Sequence, residues 1–169
     1  MAGPAARIIG LDPGLCSLGW GIVDWDGARL GFVACGTITS QSHQPMGQRL
    51  ALLCGGLEKV VRAWSPSEAA VEETFVNGNA RSALKLGQAR GIALLVPARF
   101  GLSIEEYAPN AVKKTVTGTG HAEKAQIRVM IRHLLPKAKP ETADAADALA
   151  IAITHAHHRR ARAIEAGLV

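Results

Sequence analysis

The sequence predicts an α/β fold in which helices flank a sheet of five strands, and three observations carry that expectation. Apolar runs of strand length come first, at residues 7–12, 19–24 and 29–39, with no helix between them. Helical periodicity then alternates with two shorter runs at 69–73 and 103–107, giving the order β-β-β-α-β-α-β followed by helices. The first and fourth strands both end in carboxylates, as strands that deliver acids to one edge of a sheet would. With 169 residues, of which 48% are hydrophobic and 20% charged, the chain is long enough for one domain with its own core. That domain is placed at 1–157, with 158–169 as a basic tail.

The run 7–12 alternates poorly, which suits a central strand covered on both faces, and Pro13-Gly14 forces a turn directly after Asp12. Asp12 is then either an ordinary turn-forming aspartate or one member of a converging group. Asp26-Gly27 is a hairpin signal between the second and third strands, so the first three strands are read as antiparallel. The segment 45–64 has helical period, with Met46, Leu50, Leu53, Leu57, Val60, Val61 and Trp64 on one stripe. Gly55-Gly56 within it is expected to mark a close backbone approach, and Ser65-Pro66 ends it.

The fourth strand ends in Glu72 and Glu73, which alternation turns to opposite faces, so at most one can reach Asp12. Asn79 is a candidate N-cap for a helix over 80–96. On that helix Ala83, Gly87 and Gly91 recur every four residues as a smooth ridge, predicted to pack closely against either the sheet or a second copy of the chain. The fifth strand leads through Pro109 into a short helix over 110–116 with Lys113 and Lys114 near its end. After a glycine-rich turn at 118–121, the next helix opens at Ala122-Glu123 and turns Ile127, Met130, Ile131 and Leu134 inward. Lys124, Arg128 and Arg132 follow at successive i,i+4 spacings beside that stripe, with only Glu123 near them, and are read as a phosphate-contacting ridge.

Pro136 and Pro140 punctuate a connector, and the last helix opens with Asp144 and Asp147, three apart and so on one face near the positive helix end. Alanines surround them, and Leu149, Ile151 and Ile153 follow, so the helix is mostly buried and its acids need partners. The basic segment from His155 through His157, His158, Arg159 and Arg160 to Arg162 is expected to fray, with its histidines on the surface.

Net charge of +5 favours a polyanionic partner, nucleic acid or an acidic membrane surface. Cys16, Cys35 and Cys54 have neither zinc-site spacing nor a secreted disulfide pattern, and are read as small core residues in a reducing cytosol. No signal-like N-terminus or uncharged run of membrane-spanning length is present, so a soluble cytoplasmic protein is expected. If Asp12, one of the two glutamates, Asp144 and Asp147 meet at one end of one sheet, their repulsion demands cations. Carboxylate oxygens without His or Cys suit Mg²⁺ or Mn²⁺. Two such ions about 4 Å apart can activate water and stabilise the leaving oxygen of a phosphodiester, so the chemistry implied is metal-dependent phosphodiester hydrolysis.

The same residues carry a resemblance. GLDPGL at 10–15, VEETF at 71–75, SALKLGQARG at 82–91, KKTV at 113–116, GTGHAEK at 118–124 and ADAADALAIAITHAH at 143–157 closely resemble the RuvC family of Holliday-junction resolvases. The match runs in unbroken order over nearly the whole chain. It implies a ribonuclease H-like fold with a mixed five-stranded sheet, a homodimer, and Mg²⁺-dependent symmetric nicking of four-way DNA junctions at preferred T-rich sequences. Cooperation with the RuvAB branch-migration machinery in recombination and repair is implied with it. Carried over residue by residue, the family's catalytic acids fall on Asp12, Glu72, Asp144 and Asp147, which selects Glu72 over Glu73. Its basic residues at the scissile phosphate fall on Lys113 and Lys124, and its junction-contacting aromatic on Phe75. Asn77-Gly78, Arg81, His121 and the basic tail depart from the pattern, which leaves local DNA contacts open.

Two rival readings compete with this one. The turn after Asp12 resembles the phosphate loop of actin-like ATPases, but that reading leaves Asp144 and Asp147 unexplained, and the chain is short for two lobes. A non-catalytic junction-binding module would have lost an acid, and none is missing.

Overall fold

The computed structural model describes residues 5–73 and 78–165. Three strands come first, β1 (Ala6–Asp12), β2 (Ser17–Trp25) and β3 (Leu30–Thr39). They are followed by α1 (Met46–Trp64), β4 (Glu68–Glu72), α2 (Ala80–Arg99), β5 (Ser103–Tyr107), α3 (Pro109–Thr117), α4 (Lys124–Leu134) and α5 (Ala143–Glu165). The sheet order is β3-β2-β1-β4-β5, with β1 to β3 antiparallel and β4 and β5 joined in parallel beside β1. This is the mixed sheet expected. β1 is central and buried on both faces: Ile8 enters one core, Ile9 and Leu11 the other. The β2–β3 hairpin is closed by Asp26, whose carboxylate accepts from the backbone N–H groups of Ala28 and Arg29 at 2.9 and 2.7 Å, while Gly27 takes φ 98°.

One face is covered by α1 and α2 through Leu53, Leu57, Val61, Ala89, Ala93 and Val96, the other by α3, α4 and α5. Several expectations are corrected here. The α1 stripe buries Arg49 with Leu53, Leu57 and Val61, while Met46 and Leu50 are only half-buried. Arg49 is kept inside by donating to Ser40 Oγ and Cys16 Sγ, both at 3.0 Å, and Ser40 in turn donates to the Leu15 carbonyl. Cys16 is exposed, in the loop after β1, rather than in the core, and Cys35 and Cys54 are half-buried. Of the Gly55-Gly56 pair only Gly56 meets a neighbour, Ile38, and Gly55 faces open space. Helix α2 runs through Pro97 to Arg99, because the proline falls in the last turn, where Phe100 N–H still bonds back to Val96.

Two further corrections concern surfaces. Gly87 and Gly91 face open space while Ala89, Ala93 and Val96 turn inward, so the small-residue ridge does not pack on the sheet. Helix α5 runs past 158 to Glu165, and His155 is buried, not on the surface. Arg159 Nε donates to both oxygens of Glu68 at 2.9 Å, a tether that the sequence alone did not disclose.

The element that matters most for the site is α5, and glycines decide where it lies. A Cβ on Gly10 would collide with the Ala148 carbonyl, one on Gly19 with the Asp144 carbonyl, and one on Gly21 would come 2.8 Å from Leu149. Gly10 pairs with Gly21 across β1 and β2, and Asp12 pairs with Gly19. The glycines thus form a groove in which helix backbone rests directly on strand backbone, and its end brings the first turn of α5 against Asp12.

Candidate active site

Parallel pairing sets the first two acids side by side. The register Leu11↔Val71 makes Asp12 and Glu72 the next residues on neighbouring strands, both at C-terminal ends. Groove packing adds Asp144 and Asp147 from α5, whose opening turn is capped by Thr142 Oγ1 accepting from Ala145 N–H at 3.1 Å. A capping box fixes the start of α4: Glu123 N–H donates to Gln126 Oε1 at 3.0 Å, and the Glu123 side chain accepts in return. Lys124, the next residue, puts Nζ 3.6 Å from Asp147 Oδ2. α3 contributes Lys113, and its C-cap Gly118 at φ 84° turns the chain toward α4. Glu72, Lys113, Lys124 and Asp147 together line a cleft of about 510 Å³ floored by Val112, Ile127 and Ala150.

The electrostatics of these acids are cooperative and unfavourable. Burial, then the charges of Glu72, Asp147 and Asp144, push the Asp12 carboxyl up to about 7, with Lys124 opposing. Glu72 is raised by burial and by Asp147, against Lys113 and Lys124. Asp147 is raised by burial and by Asp144, against Lys124 and Arg128. A carboxyl held near 7 is about 4 kcal/mol harder to ionise than a free one, a penalty that a bound cation offsets.

The donor set fits a hard divalent cation: every candidate ligand is a partly desolvated carboxylate oxygen, with no imidazole or thiol among them. Among the described residues no three acidic, His or Cys side chains are yet gathered closely enough to enclose an ion.

Asp12, Glu72, Asp144, Asp147, Lys113 and Lys124 therefore converge, and Glu73 sits beyond the strand end, its N–H donating to the Tyr107 carbonyl. Arg128 lies close enough to influence Asp147, while Arg132 is farther along α4 beside Lys139, lining a second cleft. Lys114 is exposed on α3, outside the cleft. Phe75 lies outside the described residues. What sequence reasoning missed is the glycine groove, although glycines inside apolar runs were its signal, and the Glu123–Gln126 box, visible as a Glu-x-x-Gln spacing before an apolar stripe.

Comparison with known proteins identifies the family. The family model described as Crossover junction endodeoxyribonuclease RuvC matches residues 8–155. A crossover junction endodeoxyribonuclease RuvC from Xanthobacter autotrophicus is 63% identical over 159 residues, 94% of this chain and 94% of that protein. One from Rhodopseudomonas palustris (strain TIE-1) is 62% identical over 155 residues, 92% of this chain and 89% of that protein. Among solved structures, Thermus thermophilus RuvC in complex with Holliday junction substrate superposes with a TM-score of 0.86 at 31% identity, covering 93% of this chain and 96% of that one. The fold is the ribonuclease H-like fold. The chain belongs to the crossover junction endodeoxyribonuclease RuvC family.

Proposed function

We propose that this chain is a structure-specific endonuclease that resolves four-way DNA junctions by metal-dependent hydrolysis of one phosphodiester in each of two strands. The observation that carries this reading is the convergence of Asp12, Glu72, Asp144 and Asp147 beside two lysines, with Asp12 pushed up to about 7. Mg²⁺, with Mn²⁺ able to substitute, is the proposed cofactor, two ions per site, held by those four acids. When bound, such ions polarise the phosphoryl group and lower the pKa of water. The chain's own residues do the rest. Asp12, Glu72, Asp144 and Asp147, carried on β1, β4 and α5, would supply the oxygens that hold the ions. Lys113 and Lys124, on the cleft side of Glu72 and Asp147, stabilise charge that builds on the scissile phosphate. Arg128 and Arg132, with exposed Lys114, neutralise flanking phosphates. Phe75 is proposed to stack on a base near the junction centre, where base–aromatic stacking contributes about 1–3 kcal/mol.

Symmetric cutting needs two sites, and the outward stripe of α2 offers the seam for a homodimer. Leu84 is 66% and Leu95 51% exposed, with Gly87 and Gly91 open between them, an apolar stripe at helical spacing that solvent does not favour. Cooperation with RuvAB and a cytoplasmic location belong to the same proposal; no helix among the described residues is long and apolar enough to cross a membrane.

The test is nicking of a four-way junction against a linear duplex of the same sequence in Mg²⁺. The junction should be cut strongly preferentially. Asp12→Asn should bind it at least as well as the parent, since a negative charge beside phosphate is removed, while cutting falls by orders of magnitude. Equal cutting of the duplex, or substantial nicking by Asp12→Asn, overturns the reading.

A further inference from the structure

Asp147, Ile151, His155 and Arg159 form one i,i+4 row along α5, and the two ends of that row meet the two ends of β4. His155 is 1% exposed, yet neither ring nitrogen is left to the apolar core. Nδ1 lies 2.8 Å from Tyr107 Oη and Nε2 lies 2.7 Å from Glu68 Oε2, while Arg159 Nε reaches both Glu68 oxygens at 2.9 Å. A carboxylate only accepts, so Nε2 faces Glu68 as donor, while the Tyr107 hydroxyl, which can donate or accept, meets Nδ1. Such a cluster stabilises little, because desolvation offsets much of its attraction, but it can fix how two elements sit against each other.

The spacing shows which relation is fixed. Glu68 and Glu72 stand on the same face of β4, four residues or roughly 13 Å apart. His155 and Asp147 stand on the same row of α5, eight residues or about 12 Å apart. The far ends attract, through Glu68, His155 and Arg159. The near ends repel, since Asp147 and Glu72 are both acids in the site. Tyr107 extends the link to a third element: it pairs with Glu72 across β4 and β5, and Pro109, two residues on, begins the helix that carries Lys113.

We propose that His155 is a positioning residue, which through Glu68, Arg159 and Tyr107 locks α5 onto β4 and β5 and holds Asp147 beside Glu72 and Lys113 before any cation offsets their repulsion. The inference rests on the reading of the acids as a metal site, and its test separates the two. Mn²⁺ binding to the DNA-free chain is measured by calorimetry, together with the Mg²⁺ half-saturation of junction cutting and junction affinity in metal-free buffer. His155→Leu should weaken Mn²⁺ about tenfold or more, as loss of residues supporting metal ligands commonly does, and raise the Mg²⁺ half-saturation by a similar factor. Junction affinity should stay within about twofold, because no phosphate-contacting cation has been removed. His155→Gln, whose amide keeps one donor and one acceptor, should recover most of the loss. Tyr107→Phe removes a single hydroxyl, keeps the ring's packing, and should give a smaller shift in the same direction, which keeps the proposal testable should His155→Leu fail to fold. Unchanged Mn²⁺ affinity and Mg²⁺ half-saturation in folded His155→Leu, or in Tyr107→Phe should His155→Leu fail to fold, whatever happens to the melting temperature, overturn it, and so does a loss in folded His155→Leu that His155→Gln does not recover. A parent chain that binds Mn²⁺ but cuts no junction overturns the nuclease reading instead, and calorimetry still decides the role of His155.

Discussion

On the α5 face of the sheet, Gly10, Gly19 and Gly21 let helix backbone rest on strand backbone, whereas on the opposite face Leu53, Leu57 and Val61 of α1 interlock with Ile9, Leu11 and Ile22. Side chains can change rotamer to absorb a small error, but main chain against main chain cannot. The fold therefore places its precision where Asp12, Glu72, Asp144 and Asp147 must agree in position, and its adaptable packing on the side away from them. Distance from the site alone does not predict sensitivity; the kind of contact does.

The largest expected effect breaks the contrast most directly. Gly19→Val must displace α5 at Asp144, so junction cutting should fall by at least about 100-fold, even in whatever fraction remains folded. Leu57→Ala, a cavity in the other layer, should cost about 2–5 kcal/mol in thermal or denaturant unfolding yet leave the folded chain cutting at nearly the parental rate. Gly87→Leu, pointing into open space, should fold normally and sediment as a monomer. Parental activity in Gly19→Val would dissolve the comparison.

A middle-sized effect sharpens it through pH. Asp12 binds its proton more tightly folded, near 7, than unfolded, near 3.8, so between those values the folded chain holds more protons than the unfolded one. Without metal, this contribution to stability is present at acid pH and is lost as pH rises toward 7. Melting temperature in a chelator should therefore fall over that window, and Mn²⁺ should restore it most above pH 7. A Leu57→Ala background should shift the whole curve without changing its slope. The smallest effect lies at the surface: replacing Arg128 and Arg132 by Ala should reduce the salt dependence of junction affinity by about 0.9 log units per lost phosphate contact.

Much of this was legible because hydrophobic pattern and local signals agreed. Asp26-Gly27, Asn79 and Pro109 sit where turn and capping chemistry require them, and the parallel neighbours β1 and β4 both ended visibly in acids. Glu72 could not be separated from Glu73 by residues alone, since alternation fixes that two acids differ in face but not which face meets α5. His155 was misjudged for a related reason: a basic, histidine-rich stretch reads as solvated unless its partners are known, and Glu68 and Tyr107 are distant in sequence. The ridge at Gly87 left two occupants open, and only the inward turn of Ala89 and Ala93 removed one.

The glycine groove also sets an order in time. β1 and β2 are made well before the helix that fills their groove, so sequence-distant contacts must form before the site exists. A nascent or proteolysed chain that stops before α5 still carries Lys113, Lys124, Arg128 and Arg132, but without Leu149, Ile151 and Ile153 the core that packs α3 and α4 is missing. Such a chain also lacks Asp144 and Asp147. One element thus brings both the core layer beneath the site and two of its four acids, so no folded half-site precedes it.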